Sequence, residues 1–521
     1  MLENSPVEQQ IAARLLDFFH WRAPWHRTLW SPGIGLVLQE VLEASEAVAQ
    51  HVLTQPSLKN LTSTAIELAG PDPGCGDATR KKLLQNALQS DLKYRSMEYH
   101  TIEAIAKDLD RSYLKRWSDS VATNLRATSV ERTARAIASH LLDLGFSPDF
   151  LHRWWKYRIF HEPGNRTLSD LIAEAFTLSQ QPCHTYEVLI AFDAIPSVAQ
   201  MPSGWIGAQE VSTWLTRHRF TVAGIRQNGG FVMEIEARDP YVAVEAARER
   251  IENFAARVAV GTYSEIKPVP KAWIASEREP FPLNRPRRGV EIHTLQRENQ
   301  LYVEGKLSEV DAAIGLLRPV NAGTTSAAIA GAWAAIETLL CGPGDEERVQ
   351  AADRLAAIVA CSFPRAELTQ ISYAVEKAGG PLVEQLRLCG SSRERARLIA
   401  TLIDSGAPLP LHDLSDVAAV ERIKSISMNP RSGLRDVVRY TRAAFRRLYR
   451  CRNMVLHWGR IEGEIRKACL RTTAPLIGAG IDRIAHAWFI GKIHPRPFAA
   501  RAAMNVEVIT SGGHALVDLL E

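Results

Sequence analysis

The chain has 521 residues, of which 62 are Lys or Arg and 58 are Asp or Glu, giving a formal net charge of +4. Such a length predicts two to four domains, and 46% hydrophobic with 23% charged residues excludes a disordered chain. The near-balance of charge supplies no argument for a polyanion partner; that argument has to come from where the charge is placed.

The first twenty residues, MLENSPVEQQIAARLLDFFH, hold Glu3 and Glu8 and no apolar stretch leading to a cleavage site, so no secretory leader is expected. The longest apolar run, roughly 327–336, is about half of what a bilayer-spanning helix needs. Seven scattered cysteines lack any Cys-x-x-Cys pair. They read as reduced thiols of a cytoplasmic protein, with neither a disulfide framework nor a zinc site.

Residues 1–180 read as helical. Gly145 and Ser147-Pro148 end one helix and start the next inside ERTARAIASHLLDLGFSPDFLHRWWKYRIF. The tryptophan-rich segments HWRAPWHRTLW (20–30) and RWWKYR (153–158) offer stacking surfaces for bases, although docking into a core is the favoured reading for both. The pattern changes at 184. TYEVLIAFD, GGFVMEIEARD, KAWIAS (271–276), GVEIHT (289–294) and QLYVEG (300–305) have strand composition. Asp239-Pro240 opens a helix whose Val244, Ala247, Ile251, Phe254 and Val258 share a face. These elements predict a small α+β domain over 184–310, with NRPRRG (284–289) as an exposed basic turn. From 320 to 521 the chain is helical again. The expected fold is therefore multidomain α+β and mostly helical: a helical N-terminal region, a small α+β middle domain and a C-terminal all-α bundle.

Within that bundle, 434–458 reads as one helix. Val437, Ala444, Leu448, Cys451 and Val455 form its apolar stripe. Arg435, Arg439, Arg442, Arg446 and Arg450 form a second stripe, which Asn453 and His457 continue. Between 431 and 460 there are nine arginines and one acid, Asp436. Like charges four residues apart repel by a few tenths of a kcal/mol, roughly. Such a row asks for a polyanion or for carboxylates on another element, and Glu337, Asp345, Glu346, Glu347 and Asp482 are candidates for the second role. An Arg separated from a following His by four to six intervening residues is common here, since five of the fifteen histidines satisfy it. Only His457 has Asn directly after the Arg, in Arg452-Asn453-x-x-x-His457, within a basic helix. His486 reads as a core histidine.

The segment RNMVLHWG (452–459) resembles the signature of HEPN ribonucleases, an Arg, a polar residue, a short spacer and His. AWAAIETLL (332–340) and TAPLIGAGIDRIAHA (473–487) extend the likeness to the Apea-like HEPN group, over about 200 residues. That resemblance implies a HEPN bundle over 320–521, with Arg452, Asn453 and His457 catalytic and Arg442, Arg446 and Arg450 gripping RNA phosphates. Glu337 is the implied orienting acid. It also implies a metal-independent endoribonuclease without cofactor, acting through the RNA 2′-hydroxyl. Arg452 and His457 lie about 140° apart around a helix and about 7.5 Å along it. One copy is therefore expected to enclose a phosphate poorly, and the resemblance implies a homodimer with a composite cleft. Enzymes resembling this group often act as toxins or anti-phage effectors. By analogy the first 310 residues are then a sensing or restraining part, answering to a phage-derived trigger or an antitoxin. Two other readings stay open: a non-catalytic HEPN module that binds RNA or dimerises, and a ligand-binding site in the middle domain.

Overall fold

A computed structural model of the chain describes residues 5–124, 129–161, 166–195, 201, 203–222, 224–262, 264–284, 288–303, 305–459 and 463–521. It is mostly helical with one five-stranded antiparallel sheet. Two compact units are present. One comprises residues 1–143, 155–176 and 288–521, and the other 144–154 and 177–287. The helices that the sequence divides between an N-terminal region and a C-terminal bundle thus belong to a single unit.

The smaller unit is built on β1 (His184–Ala194), β2 (Trp205–Gly207), β3 (Gly229–Ala237), β4 (Lys267–Ile274) and β5 (Phe281–Pro282), in the order β2-β3-β1-β4-β5. Side chains alternate between the two faces of a strand, and both faces of β1 are covered. Val188, Ile190 and Phe192 pack with Ile235 and with Val244 and Ile251 of the Pro240–Thr262 helix. Leu189 and Ala191 pack on the other side with Val211 and Leu215 of the Ala208–Arg217 helix. Double coverage explains why β1 reads as an unbroken apolar run. Asp239 caps the long helix as expected, accepting from the backbone N–H groups of Tyr241 and Val242 at 3.0 and 3.1 Å. Gly229, at φ +140°, lets Trp205 of the edge strand close over it, where a Cβ would lie 2.2 Å from the ring.

Two expected strands are absent. GVEIHT runs into a short helix, His293–Arg297, and the described residues of QLYVEG form no strand. Both belong to the larger unit, so the α+β unit ends at 287 rather than 310. In GVEIHT the β-branched composition reflects burial instead: Val290 sits in the helical core, and Thr294 donates its backbone N–H to Asp482 at 2.7 Å, whereas Leu301, Tyr302 and Val303 of QLYVEG are exposed. Residues 285–287 of the basic turn lie outside the described residues.

In the larger unit the Gln350–Ala378 helix is central, packing against Thr325–Leu340, Ser392–Asp404, Pro430–Trp458, Glu464–Phe489 and Pro495–Val508. Of the segment HWRAPWHRTLW, Trp25 and Trp30 dock here, whereas Trp21 is exposed. Trp30 is buried with its ring edge-on to Phe363, centroids 5.5 Å apart. Arg27 joins a buried ion network, donating to Glu367 at 2.7 Å and Asp416 at 2.8 Å, and Arg422 bridges Glu367 to Glu131. Burial favours neutral Glu367, yet Arg422, His26 and Arg27 hold its carboxyl down at about 2. Trp155 of the second tryptophan segment is likewise buried, against Phe19. No helix among the described residues is long and apolar enough to cross a membrane.

Candidate functional site

The arginine helix runs from Pro430 to Trp458, opened by proline in its first turn and closed by Gly459 in the left-handed conformation at φ +67°. Its apolar stripe faces inward: Val437, Ala444, Leu448 and Cys451 are buried and Val455 is half-buried. The face it shows to solvent carries the expected candidates at its C-terminal end. Arg452 and Asn453 are half-buried and His457 is exposed.

These three side chains converge. Arg452 Nη1 donates to Asn453 Oδ1 at 3.1 Å and lies 3.5 Å from His457 Nε2. At that contact Nε2 accepts only in the tautomer that carries its proton on Nδ1. The offset of Arg452 and His457 around the helix leads to the expectation that one copy encloses a phosphate poorly. The arginine side chain is long enough to span that offset, so guanidinium and imidazole meet within one chain.

The remaining candidates are placed differently. Arg450 is buried, and together with Arg447 it pairs with Glu40 of the Ile34–Ala49 helix. It has no free face for RNA, a correction to its expected role. The cause is tertiary: the Ile34–Ala49 helix supplies the carboxylate the sequence row lacked. The two guanidiniums fare differently at this shared partner. Burial opposes charge on both, but Arg447 touches Glu40 closely and its pKa is held above the ordinary value. Arg450 stands 3.4 Å from the carboxylate, and there burial lowers the pKa. Arg447 Nη1 is also buried without a hydrogen-bond partner among the described residues.

Arg446 makes a two-pronged contact with Asp353, Nε to Oδ1 at 2.8 Å and Nη2 to Oδ2 at 2.6 Å, while Arg442 approaches the same carboxylate at 3.5 Å and stays exposed. Glu337 pairs with Arg348 and with none of Arg442, Arg446, Arg450 or Arg452 among the described contacts, so it does not aim the cations of this helix. His486 is half-buried, its pKa lowered by burial and then by Arg483.

Glu40 and Asp353 are the residues that sequence reasoning missed. Glu40 left a signal, a carboxylate inside the apolar helical run IGLVLQEVLEA, where a buried charge needs a buried partner. Asp353 left none, since it sits in an ordinary amphipathic helix. Among the described residues no group of three or more His, Cys, Asp or Glu is arranged to hold a metal ion. Comparison with known proteins finds no matching family model, no matching curated protein and no matching solved structure.

Proposed function

We propose that this protein is a HEPN-type endoribonuclease, working as a homodimer in the cytoplasm as a toxin or anti-phage effector. The observation that carries the reading is the convergence of Arg452, Asn453 and His457 at the solvent-facing end of a basic helix.

The chemistry suits those groups. His457 removes the proton from the RNA 2′-hydroxyl, whose oxygen then attacks the adjacent phosphorus. Arg452, permanently charged and planar, takes the non-bridging oxygens on which negative charge accumulates. The bond from phosphorus to the 5′-oxygen breaks, and a second imidazole, His457 of the other copy, gives that oxygen its proton. The products are a 2′,3′-cyclic phosphate and a 5′-hydroxyl. Asn453, held by Arg452, orients the scissile nucleotide. The unit of residues 144–154 and 177–287 is the part available for sensing a phage-derived trigger or an antitoxin.

The test is to incubate the purified full chain and its His457→Ala variant with total cellular RNA in EDTA, and to map product ends. Cleavage by the wild type alone, leaving cyclic phosphates, is expected. Equal activity in the variant removes His457 from the reaction, and RNA binding without cleavage by the wild type makes this a scaffold. The full chain is needed. A fragment of 315–521 would lack Trp30, which packs on Phe363, and Glu40, which pairs with both Arg447 and Arg450.

A further inference from the structure

A turn of 100° per residue brings Arg431, Arg435, Arg439, Arg442, Asn453 and His457 within an arc of about 80° on the arginine helix. The four arginines are all exposed. Their ion-pair partners are Glu507 for Arg435, Asp436 for Arg439 at 3.1 Å, and the half-buried Asp353 for Arg442 at 3.5 Å, and Arg439 also lies over the Tyr440 ring at 5.0 Å from its centroid. Exposed pairs of this kind contribute little and are screened by salt, so a phosphate can displace them. Arg446, in the gap between Arg442 and Arg452, is tied to Asp353 through both prongs and half-buried.

We propose that this face is a one-sided track for a single polynucleotide strand, with the scissile phosphate at Arg452 and His457 and the flank on one side of the cut laid back along Arg442, Arg439, Arg435 and Arg431. This rests on the ribonuclease reading above and adds where the substrate lies and how long it must be. The track is straight. It follows one strand, whereas a strand of a duplex winds away from it. From His457 to Arg442 is about 22 Å and to Arg431 about 39 Å at 1.5 Å per residue. A base-stacked strand at about 3.4 Å per nucleotide covers those spans with roughly seven and eleven nucleotides. Flanks shorter than the first length reach no exposed arginine of the row. The contacts are to phosphate, so they read no sequence, and DNA of equal length is held but lacks the 2′-hydroxyl and is not cut.

The test uses the full-length His457→Ala protein, which binds without cutting, and fluorescent oligonucleotides lengthened on one side of a fixed sequence or the other. Affinity is expected to rise only with one flank, to begin at roughly seven nucleotides and to level off at roughly eleven, the stacked-strand lengths given by the same spacing. Each phosphate contact in a single strand contributes about 0.7 to the slope of log affinity against log salt. Replacing Arg431, Arg435, Arg439 and Arg442 with Gln therefore lowers that slope by about 3, and R431Q with R435Q alone by about half as much. R226Q, which removes a side chain 92% exposed in the other unit, leaves it unchanged. Affinity that ignores flank length, or a slope the double and quadruple variants leave intact, overturns the track. So does binding of poly-glutamate, but not RNA, with the arginine-dependent slope, since the partner is then an acidic protein. Flank-dependent binding by a wild type that never cuts keeps the track and sinks the ribonuclease reading; cutting without flank dependence does the reverse.

Discussion

Glu40 and Arg447 stand 407 residues apart in the chain and form a buried ion pair, with Arg450 sharing the same carboxylate. This contact ties the helix that bears Arg452 and His457 to one of the first helices of the chain. Two guanidiniums and one carboxylate out of water leave an arrangement in which loss of the acid is worse than loss of either base.

Glu40→Gln is therefore expected to destabilise the larger unit by about 3–5 kcal/mol, the range found when one partner of a buried pair is removed. Urea unfolding followed by helical circular dichroism reads this directly. A midpoint equal to that of the wild type shows that water already satisfies the two arginines.

Arg452→Lys keeps the charge and loses the planar fork. A fall of about 100-fold or more in kcat is expected, the usual effect of losing one donor to a developing oxyanion, with KM for RNA little changed. Kinetics indistinguishable from wild type would remove Arg452 from transition-state binding and reduce it to a neighbour of His457.

Asp353→Asn releases Arg446 from its two-pronged contact. Arg442 already reaches phosphate in the wild type, so the new contact is that of Arg446 alone: RNA affinity should rise, and the salt slope should steepen by about 0.7. Salt titration checks it, and an unchanged slope would show that Arg446 does not reach the strand.

Stability should depend on pH in two stages. Burial holds the imidazoles of His26 and His140 at about 4 and about 3, below an unfolded value of about 6.5. Each therefore favours the native state above that value and loses its contribution as pH falls. Burial raises the carboxyls of Asp72 and Asp143 to about 6, above an unfolded value of about 3.9. Their contribution has the opposite sign: it is present below the unfolded value and lost as pH rises through 6. Between about pH 6 and 4 the two pairs offset each other. Below about pH 4 only losses remain, from His140 and from Glu367, whose carboxyl is held at about 2. Urea midpoints measured across this range should be nearly level and then fall steeply. A steady decline from pH 6.5 would show that the two aspartates are ionised in the native protein.

Local pattern carried the arginine helix. The spacing of Val437, Ala444, Leu448 and Cys451 placed its buried face correctly, and Pro430 and Gly459 bracket its ends. The same reasoning found β1, β3, β4 and the Asp239 cap. It misread GVEIHT, because β-branched residues fill a helical core as readily as a sheet when no neighbouring strand is offered. It also set Arg450 among the solvent-facing arginines, because periodicity registers which residues share a face and says nothing of what packs on that face.

The sequence by itself determined the mostly helical class, the position of the small sheet, and the stripe that brings Asn453 and His457 to one side of a basic helix, since each of these depends on residues a few positions apart. Only the tertiary structure decided that the N-terminal helices and the C-terminal bundle form one unit, that Arg447 and Arg450 are spent on Glu40, and that Arg431, Arg435, Arg439 and Arg442 remain exposed. Those outcomes depend on contacts across hundreds of residues, where charge pairing and burial are settled by which helices meet and not by the order in which they are written.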